Sequence, residues 1–156
     1  MTTKKMAIIA SKGTLDMAYP PFILASTAAA LGYEVQVFFT FYGLQLLRKD
    51  LSDVMISPLA NPAMPMPVPM PVMVQMLPGM ESMATMMMKQ KLKKQGVASL
   101  QELRDLCIEA EVKFIACQMT LDLFEFDQSE FIDECEYGGA AMFMGFAGDT
   151  DICLFV

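Results

Sequence analysis

The sequence contains no histidine. This absence excludes Ser-His and Cys-His nucleophilic catalysis and every metal site that uses a histidine ligand. The cysteines are too far apart to form a C-x-x-C pair, which also excludes zinc-ribbon and thioredoxin-type patterns. They are Cys107, Cys117, Cys135 and Cys153. We therefore expect free thiols, no metal and no cofactor, and a nucleophile activated by a dipole, a lysine or desolvation.

Long apolar runs and an excess of basic residues are also missing. No stretch reaches the roughly 18 consecutive apolar residues of a spanning helix, and the first residues do not follow a signal-peptide pattern. Lysine and arginine total 11 against 18 acidic residues, a net charge of −7. This balance argues against nucleic-acid binding. We expect a cytoplasmic chain with no transmembrane segment, in which the thiols stay reduced.

The 156 residues are enough for one domain with a substantial core, and 54% of them are hydrophobic, including 17 methionines. We expect a single domain over 1–156. The first half predicts strands at 6–10 and 35–39 around a helix at 15–31, which Pro20 and Pro21 complicate by offering a later start. A short helix at 43–49 and a minor strand at 54–57 follow. This order indicates a βαβ unit and a parallel sheet.

In the second half, Ser99 and Glu102 form a capping-box pattern that opens a helix over 99–110, with Cys107 on its core face. A strand over 112–117 follows, then a short helix over 120–126 and a helical turn over 128–133. We expect Cys135 in a partly exposed connector. A helix over 140–147 precedes a last strand over 152–155, which we expect to be buried, with Cys153 as a packing residue.

Cys117 ends its apolar strand, and Thr120 is predicted to cap the helix that follows. A thiol between a strand and a helix N-terminus is well placed to bear a negative charge, as a thiolate or a persulfide. The alternative is that Cys117 is only a small core residue.

Right-handed crossovers place the loops after parallel strands at one edge of the sheet. The loop after the first strand, Ser11-Lys12-Gly13, is therefore expected at the same edge as Cys117. We name Lys12, Gly13 and Thr120 as anion-binding or supporting residues. The ammonium of Lys12 would lower the pKa of the thiol if it lay nearby. A solvated, purely structural Lys12 is the alternative.

A Met/Pro-rich insertion occupies about 59–80, and its alternating prolines favour extended polyproline geometry. A helix with a lysine-rich end is predicted over 80–95. Three interpretations compete: soft-metal capture by thioethers, contact with a membrane surface, and an adaptable apolar surface that covers the site or a second subunit. We favour the third, and with it a homo-oligomer.

Several segments in this order resemble the DsrE/DsrF/DsrH-like superfamily, and within it the DsrE2-type (peroxiredoxin-like) subfamily. The resemblance covers nearly the whole chain. The segments are Ser11-Lys12-Gly13, the Met/Pro segment over 61–80, 96–103, 114–122, and Tyr137-Gly138-Gly139-Ala140-Ala141. The chain departs from the pattern at Leu123-Phe124-Glu125-Phe126, where family members often have Met-Gly-Ile.

The resemblance implies a compact α/β, three-layer sandwich with a mostly parallel sheet flanked by helices, and an oligomer. It also implies a sulfur carrier or sulfurtransferase, in which Cys117 holds sulfane sulfur as a persulfide. Its partners would be sulfur donor and acceptor proteins or small sulfane-sulfur compounds. Two alternatives stay open: an interaction module that uses the Met/Pro surface, and a thiol redox protein with Cys135 as the resolving thiol.

Overall fold

The computed structural model describes residues 2–55, 73 and 76–156. Within them, five strands form one sheet in the order β4-β3-β2-β1-β5, and every neighbouring pair is parallel. The strands are β1 Lys5–Ala10, β2 Glu34–Phe39, β3 Lys113–Cys117, β4 Cys135–Gly138 and β5 Ile152–Phe155. The predicted α/β fold with a parallel sheet is confirmed.

Helices cover both faces of this sheet, which makes three layers. The α-helices are α1 Leu15–Ala30, α2 Met80–Lys94, α3 Leu100–Glu109, α4 Gln118–Leu123 and α5 Ala140–Ala147. Two 3-10 helices, Phe41–Leu47 and Gln128–Glu130, complete the described helical elements. None of the helices in the described part of the chain has the length and apolar character needed to cross a membrane.

Alternation along each strand sorts the side chains between two cores. Along β3, Phe114 and Ala116 join the larger core, which α1 and α3 cover, whereas Ile115 and Cys117 join the smaller one. Phe143 of α5 fills that smaller core. The thiol therefore faces the α5 side of the sheet, away from α1 and α3.

The helix α1 begins at Leu15 and continues through Pro20 and Pro21, so the later start that the prolines offered is not used. Proline lacks an N–H, and two carbonyls of the preceding turn therefore lose their helical partners. Burial of Phe22 against Phe39 and Phe114 stabilises the helix across this point. Gly32, with φ 87°, follows the end of the helix as predicted.

The capping box that opens α3 is confirmed. The Glu102 N–H donates to Ser99 Oγ over 3.2 Å, and the Ser99 N–H donates to Glu102 Oε2 over 2.6 Å. The core-facing position of Cys107 is confirmed as well.

Three other expectations need correction or fall outside the described residues. The helix predicted over 43–49 is a 3-10 helix that begins at Phe41, and residues 54 and 55 form no strand. The rest of the minor strand lies outside the described residues. So does the Met/Pro insertion predicted over 59–80, except for residues 73 and 76–80.

The edge strand β5 is not buried, contrary to the expectation from its apolar composition. Ile152, Cys153 and Phe155 are exposed, and Phe155 is 71% exposed. Among the described residues β5 pairs with β1 alone, so one side of it has no neighbouring strand in that part of the chain. An apolar run predicts a strand, but it does not distinguish a central strand from an edge strand.

A buried arginine holds the segment that leads away from β2. Arg104 of α3 is 1% exposed. Its guanidinium donates to the backbone carbonyls of Leu46, Arg48 and Lys49. These carbonyls lie at the end of the 3-10 helix that starts with Phe41, so Arg104 ties α3 to the loop after β2.

We expect Arg104→Leu to lower the free energy of unfolding by about 2–4 kcal/mol, because it leaves buried carbonyls without donors. Chemical denaturation followed by circular dichroism measures the change. Lys113→Met is the control, because Lys113 forms a half-exposed ion pair with Glu136 and its loss should cost under about 1 kcal/mol. Equal effects of the two substitutions would contradict the role assigned to Arg104.

Candidate functional site

Cys117 is the last residue of β3, and α4 begins at the next residue, Gln118. Cys117 itself is therefore the N-cap residue, and the prediction that Thr120 caps the helix is wrong. Thr120 lies in the first turn and is completely buried. The helix starts earlier than predicted because the Thr120 hydroxyl contacts another loop instead of an orphan N–H of its own helix.

That other loop is the one after β2. The Phe41 N–H donates to Thr120 Oγ1 over 3.1 Å, and Thr40 Oγ1 lies 3.4 Å from the same oxygen. Because β2 and β3 are parallel neighbours, their carboxyl ends meet at one edge of the sheet, and Thr40 reaches the first turn of α4. Sequence reasoning missed Thr40, although a hydroxyl directly after a strand next to β3 is a usable signal.

Two effects of opposite sign set the pKa of Cys117. Burial raises the pKa, since the side chain is only 4% exposed. Hydrogen bonds from the Thr120 hydroxyl and N–H, the Thr40 hydroxyl and the Met119 N–H outweigh burial and lower the pKa below its ordinary value. The site therefore favours a thiolate, and it does so through local donors rather than through the dipole of α4, which has only six residues.

Two other buried thiols have the opposite properties. Burial raises the pKa of Cys107 to about 12, and its Sγ lies 3.4 Å from the Phe22 carbonyl oxygen. Burial also raises the pKa of Cys135, which lies in β4 and is 8% exposed rather than in a partly exposed connector as predicted. Neither thiol is set up to ionise near neutral pH.

Cys117 and Cys135 lie on opposite faces of the sheet. Cys135 is paired with Phe114 and belongs to the larger core, whereas Cys117 belongs to the smaller one. Along β3, the partner position of Cys135, Phe114, is also three residues from Cys117, which is about 10 Å. A disulfide needs Cα atoms closer than about 7 Å and converging side chains. The fold therefore prevents a disulfide between these two cysteines.

The exposed cysteine is Cys153 on β5, so the packing role predicted for it is wrong. Its partner in the register is Ala7 of β1, and β2 then lies between β1 and β3. Cys153 and Cys117 are therefore three strands apart, about 14 Å across the sheet at the usual strand spacing. They cannot form a disulfide within one chain.

Lys12 and Gly13 lie in the loop after β1, with β2 between that loop and Cys117. A Cβ on Gly13 would lie 2.3 Å from the Tyr42 carbonyl oxygen, so glycine is needed for the loops after β1 and β2 to touch. Lys12 is exposed. The groups that lower the Cys117 pKa are hydroxyls and N–H groups and include no lysine. The anion-binding role of Lys12 and Gly13 stays a prediction.

We expect Thr120→Val to raise the pKa of Cys117, because it removes a hydroxyl donor while keeping the volume. Thr120→Ser should retain the low value. The pH dependence of iodoacetamide alkylation measures this pKa. A Cys153→Ser background removes the exposed cysteine, so that the alkylation reports on Cys117. The parent midpoint should lie below that of Thr120→Val. A midpoint that Thr120→Val leaves unchanged would contradict the role assigned to the hydroxyl.

The chain is similar to a family model over nearly its whole length and to a protein named as a sulfur carrier. The family model described as the DsrE/DsrF/DrsH-like family matches residues 2–155. The sulfur carrier protein DsrE2 of Allochromatium vinosum is 66% identical over 160 residues, covering 100% of both chains. The uncharacterized protein YrkE of Bacillus subtilis is 30% identical and covers 99% of this chain and 98% of its own. None of these descriptions contains the peroxiredoxin-like label that the resemblance implied.

A solved structure supports the fold. The ychN protein from E.coli superposes with a TM-score of 0.56, covers 99% of this chain and 100% of its own, and is 11% identical. At that identity the likeness concerns the fold alone. The match over residues 2–155 and the 66% identity show that this chain belongs to the DsrE/DsrF/DrsH-like family.

Proposed function

We propose that the chain is a DsrE2-type sulfur carrier that accepts sulfane sulfur as a persulfide on Cys117 and passes it on. The observation that carries this proposal is the lowered pKa of Cys117, since the thiolate is the nucleophile in thiol exchange. The name of the Allochromatium vinosum relative, sulfur carrier protein DsrE2, supports the same function.

The transfer needs no external oxidant. The Cys117 thiolate attacks the outer sulfur of a donor persulfide, the donor sulfur–sulfur bond breaks, and the donor leaves as a thiolate. Cys117 then carries the outer sulfur as Cys117–S–S⁻. An acceptor thiolate attacks that outer sulfur, becomes a persulfide and releases the Cys117 thiolate. The Cys117 sulfur is the nucleophile in the first step and the leaving group in the second. In both roles its negative charge accepts hydrogen bonds from Thr40, Met119 and Thr120.

The partners we propose are sulfur donor and acceptor proteins or small sulfane-sulfur compounds. A reducing compartment such as the cytoplasm suits this chemistry, because an oxidising one would convert the carrier thiol to disulfides. The net charge of −7 argues against a nucleic-acid partner.

The thiol redox alternative is weaker on this geometry. A resolving thiol must reach the oxidised cysteine, but Cys135 lies on the other face of the sheet and Cys153 lies three strands away. Only a thiol from another molecule could resolve a sulfenic acid on Cys117. The interaction-module alternative is compatible with the apolar surface but assigns no role to the hydrogen bonds on the thiol.

We also propose that the chain forms a homo-oligomer through the α5 side of the sheet. The helix α5 contains no polar residue, and of its side chains only Phe143 is fully buried. Met144 is 60% exposed, and Phe155 of β5 projects on the same side. A helix that is apolar all round is normally buried, and a second copy of the chain would bury this one.

Incubation with polysulfide should add the mass of one sulfur atom to the intact chain, and a reductant should remove it. We expect Cys117→Ser to abolish this adduct, because the other buried thiols have raised pKa values. Cys153→Ser is the matched control, since it removes an exposed cysteine without touching the site. An equal adduct on Cys117→Ser would disprove the carrier function of Cys117.

Sedimentation equilibrium tests the oligomer. The parent chain should sediment as more than one copy, and Met144→Lys with Phe155→Lys should produce a monomer, because two buried charges would face an apolar partner. Leu31→Lys is the control, since Leu31 is 72% exposed at the end of α1. A monomeric parent chain would contradict the proposal.

A further inference from the structure

Large apolar side chains are exposed around the buried thiol. The set, here called the aromatic rim, consists of Phe41, Tyr42, Met119, Leu123 and Phe124, which are between 37% and 65% exposed. Phe124 is its centre, with ring centroids 6.4 Å from Phe41 and 6.1 Å from Tyr42. The rings of Phe41, Tyr42 and Phe124 contact one another between the loop after β2 and the end of α4, and Met119 and Leu123 lie one helical turn apart on α4.

Backbone N–H groups of two rim residues take part in the hydrogen bonds around the thiol. The Met119 N–H is one of the donors that lower the Cys117 pKa, and the Phe41 N–H donates to Thr120 Oγ1. Phe41 also has φ 48°, a left-handed conformation that is a genuine outlier for a bulky residue. The hydrogen bond to Thr120 fixes this conformation, and as a result an aromatic ring is held at the surface beside the thiol.

The surroundings of the rim are acidic. From Phe114 to the last residue the chain contains no lysine or arginine. Six carboxylates lie in the segment between Cys117 and β4: Asp122, Glu125, Asp127, Glu130, Asp133 and Glu134. Asp122 and Glu125 alternate with the rim residues Leu123 and Phe124. The ring of Phe124 also contacts Phe126, and the guanidinium of Arg48 lies over the Phe126 ring. Arg48 forms an ion pair with Glu130 as well.

We propose that the aromatic rim is a docking surface for a protein that carries the partner thiol on a face that is apolar at its centre and basic at its edge. The proposal rests on the proposed sulfur-carrier function and names the class of partner. Cys117 is 4% exposed, so a partner sulfur has to be held close to it by contacts with the surface, and the rim residues Phe41 and Met119 are chain neighbours of the donors Thr40 and Thr120. An apolar centre for the partner follows from the five rim side chains, and a basic edge follows from Asp122 and Glu125.

A two-fold dimer through the rim does not fit this surface. In such a dimer the same patch lies on both subunits, so Asp122 and Glu125 would face the carboxylates of the second copy's rim. Like charges opposed across an interface cost free energy. Self-association through the rim is therefore an outcome that would overturn the proposal.

The probe is a short peptide with one cysteine flanked by leucine, phenylalanine and arginine, supplied as its mixed disulfide with thionitrobenzoate. The Cys117 thiolate attacks the peptide sulfur, forms a peptide mixed disulfide and releases coloured thionitrobenzoate, the better leaving group. A second peptide has glutamate in place of arginine, and the mixed disulfide of free cysteine is the small reference. All chains carry Cys153→Ser, which removes the exposed cysteine and leaves Cys117 as the thiol whose pKa is lowered.

The arginine peptide should react about tenfold faster than the glutamate peptide, and the preference should disappear near 1 M salt, where the screening length is about 3 Å. Asp122→Asn with Glu125→Gln should remove most of the preference for arginine. Tyr42→Ser with Leu123→Ser should lower the ratio of the arginine-peptide rate to the small-disulfide rate. Both of those side chains are more than half exposed, so their truncation leaves the core intact.

Leu31→Ser is the matched control, an exposed leucine at the end of α1 that should leave every ratio at the parent value. Equal rates for the two peptides, rim variants that behave like Leu31→Ser, or a parent dimer that the rim variants dissociate would each overturn the proposal. The exchange reaction uses the thiol and not a persulfide. A chain that shows the peptide preference but takes up no sulfur from polysulfide would therefore refute the carrier function and leave the docking surface standing.

Discussion

The register between β2 and β3 is the constraint on which the site depends. Phe39 is paired with Ala116, so the next residues, Thr40 and Cys117, emerge side by side at the carboxyl edge of the sheet. A shift of one residue would turn Cys117 to the face covered by α1 and α3. Thr40 and Phe41 would then lose their contacts with Thr120. The low thiol pKa is thus a property of strand pairing as much as of the cysteine.

The two faces of the sheet also hold thiols whose pKa values are shifted in opposite directions. Cys107 and Cys135 lie in the larger core, where burial raises their pKa values, while Cys117 lies on the other face among donors that lower its pKa. Since no second cysteine can reach Cys117 within the chain, a sulfur or an oxidised state held there is resolved by another molecule. A thiol isolated in this way suits a carrier, which must keep its cargo until an acceptor arrives.

Sequence patterns predicted the elements whose signals are local. The apolar strands, the capping box at Ser99 and Glu102, and the end of β3 at Cys117 all follow from periodicity and cap chemistry. Residues set by tertiary contacts could not be predicted in this way. Thr120 resembles a cap in sequence, but its hydroxyl contacts Phe41, 79 residues away in the chain. The burial of Cys135 and the exposure of Cys153 depend on strand order, which sequence spacing does not reveal.

The acidic surroundings of Cys117 and its low pKa oppose each other, because nearby carboxylates disfavour a thiolate. The hydrogen bonds from Thr40, Met119 and Thr120 are short-range and act in a buried site, whereas Asp122 and Glu125 are exposed and screened by solvent and salt. The site can therefore stabilise a thiolate while its surface still repels anions. Thiosulfate and polysulfide are anions, and the negative field of these carboxylates slows their approach without affecting the chemistry at the sulfur. The same field attracts a basic protein. The charge distribution therefore favours transfer between proteins over uptake from small anionic sulfur compounds.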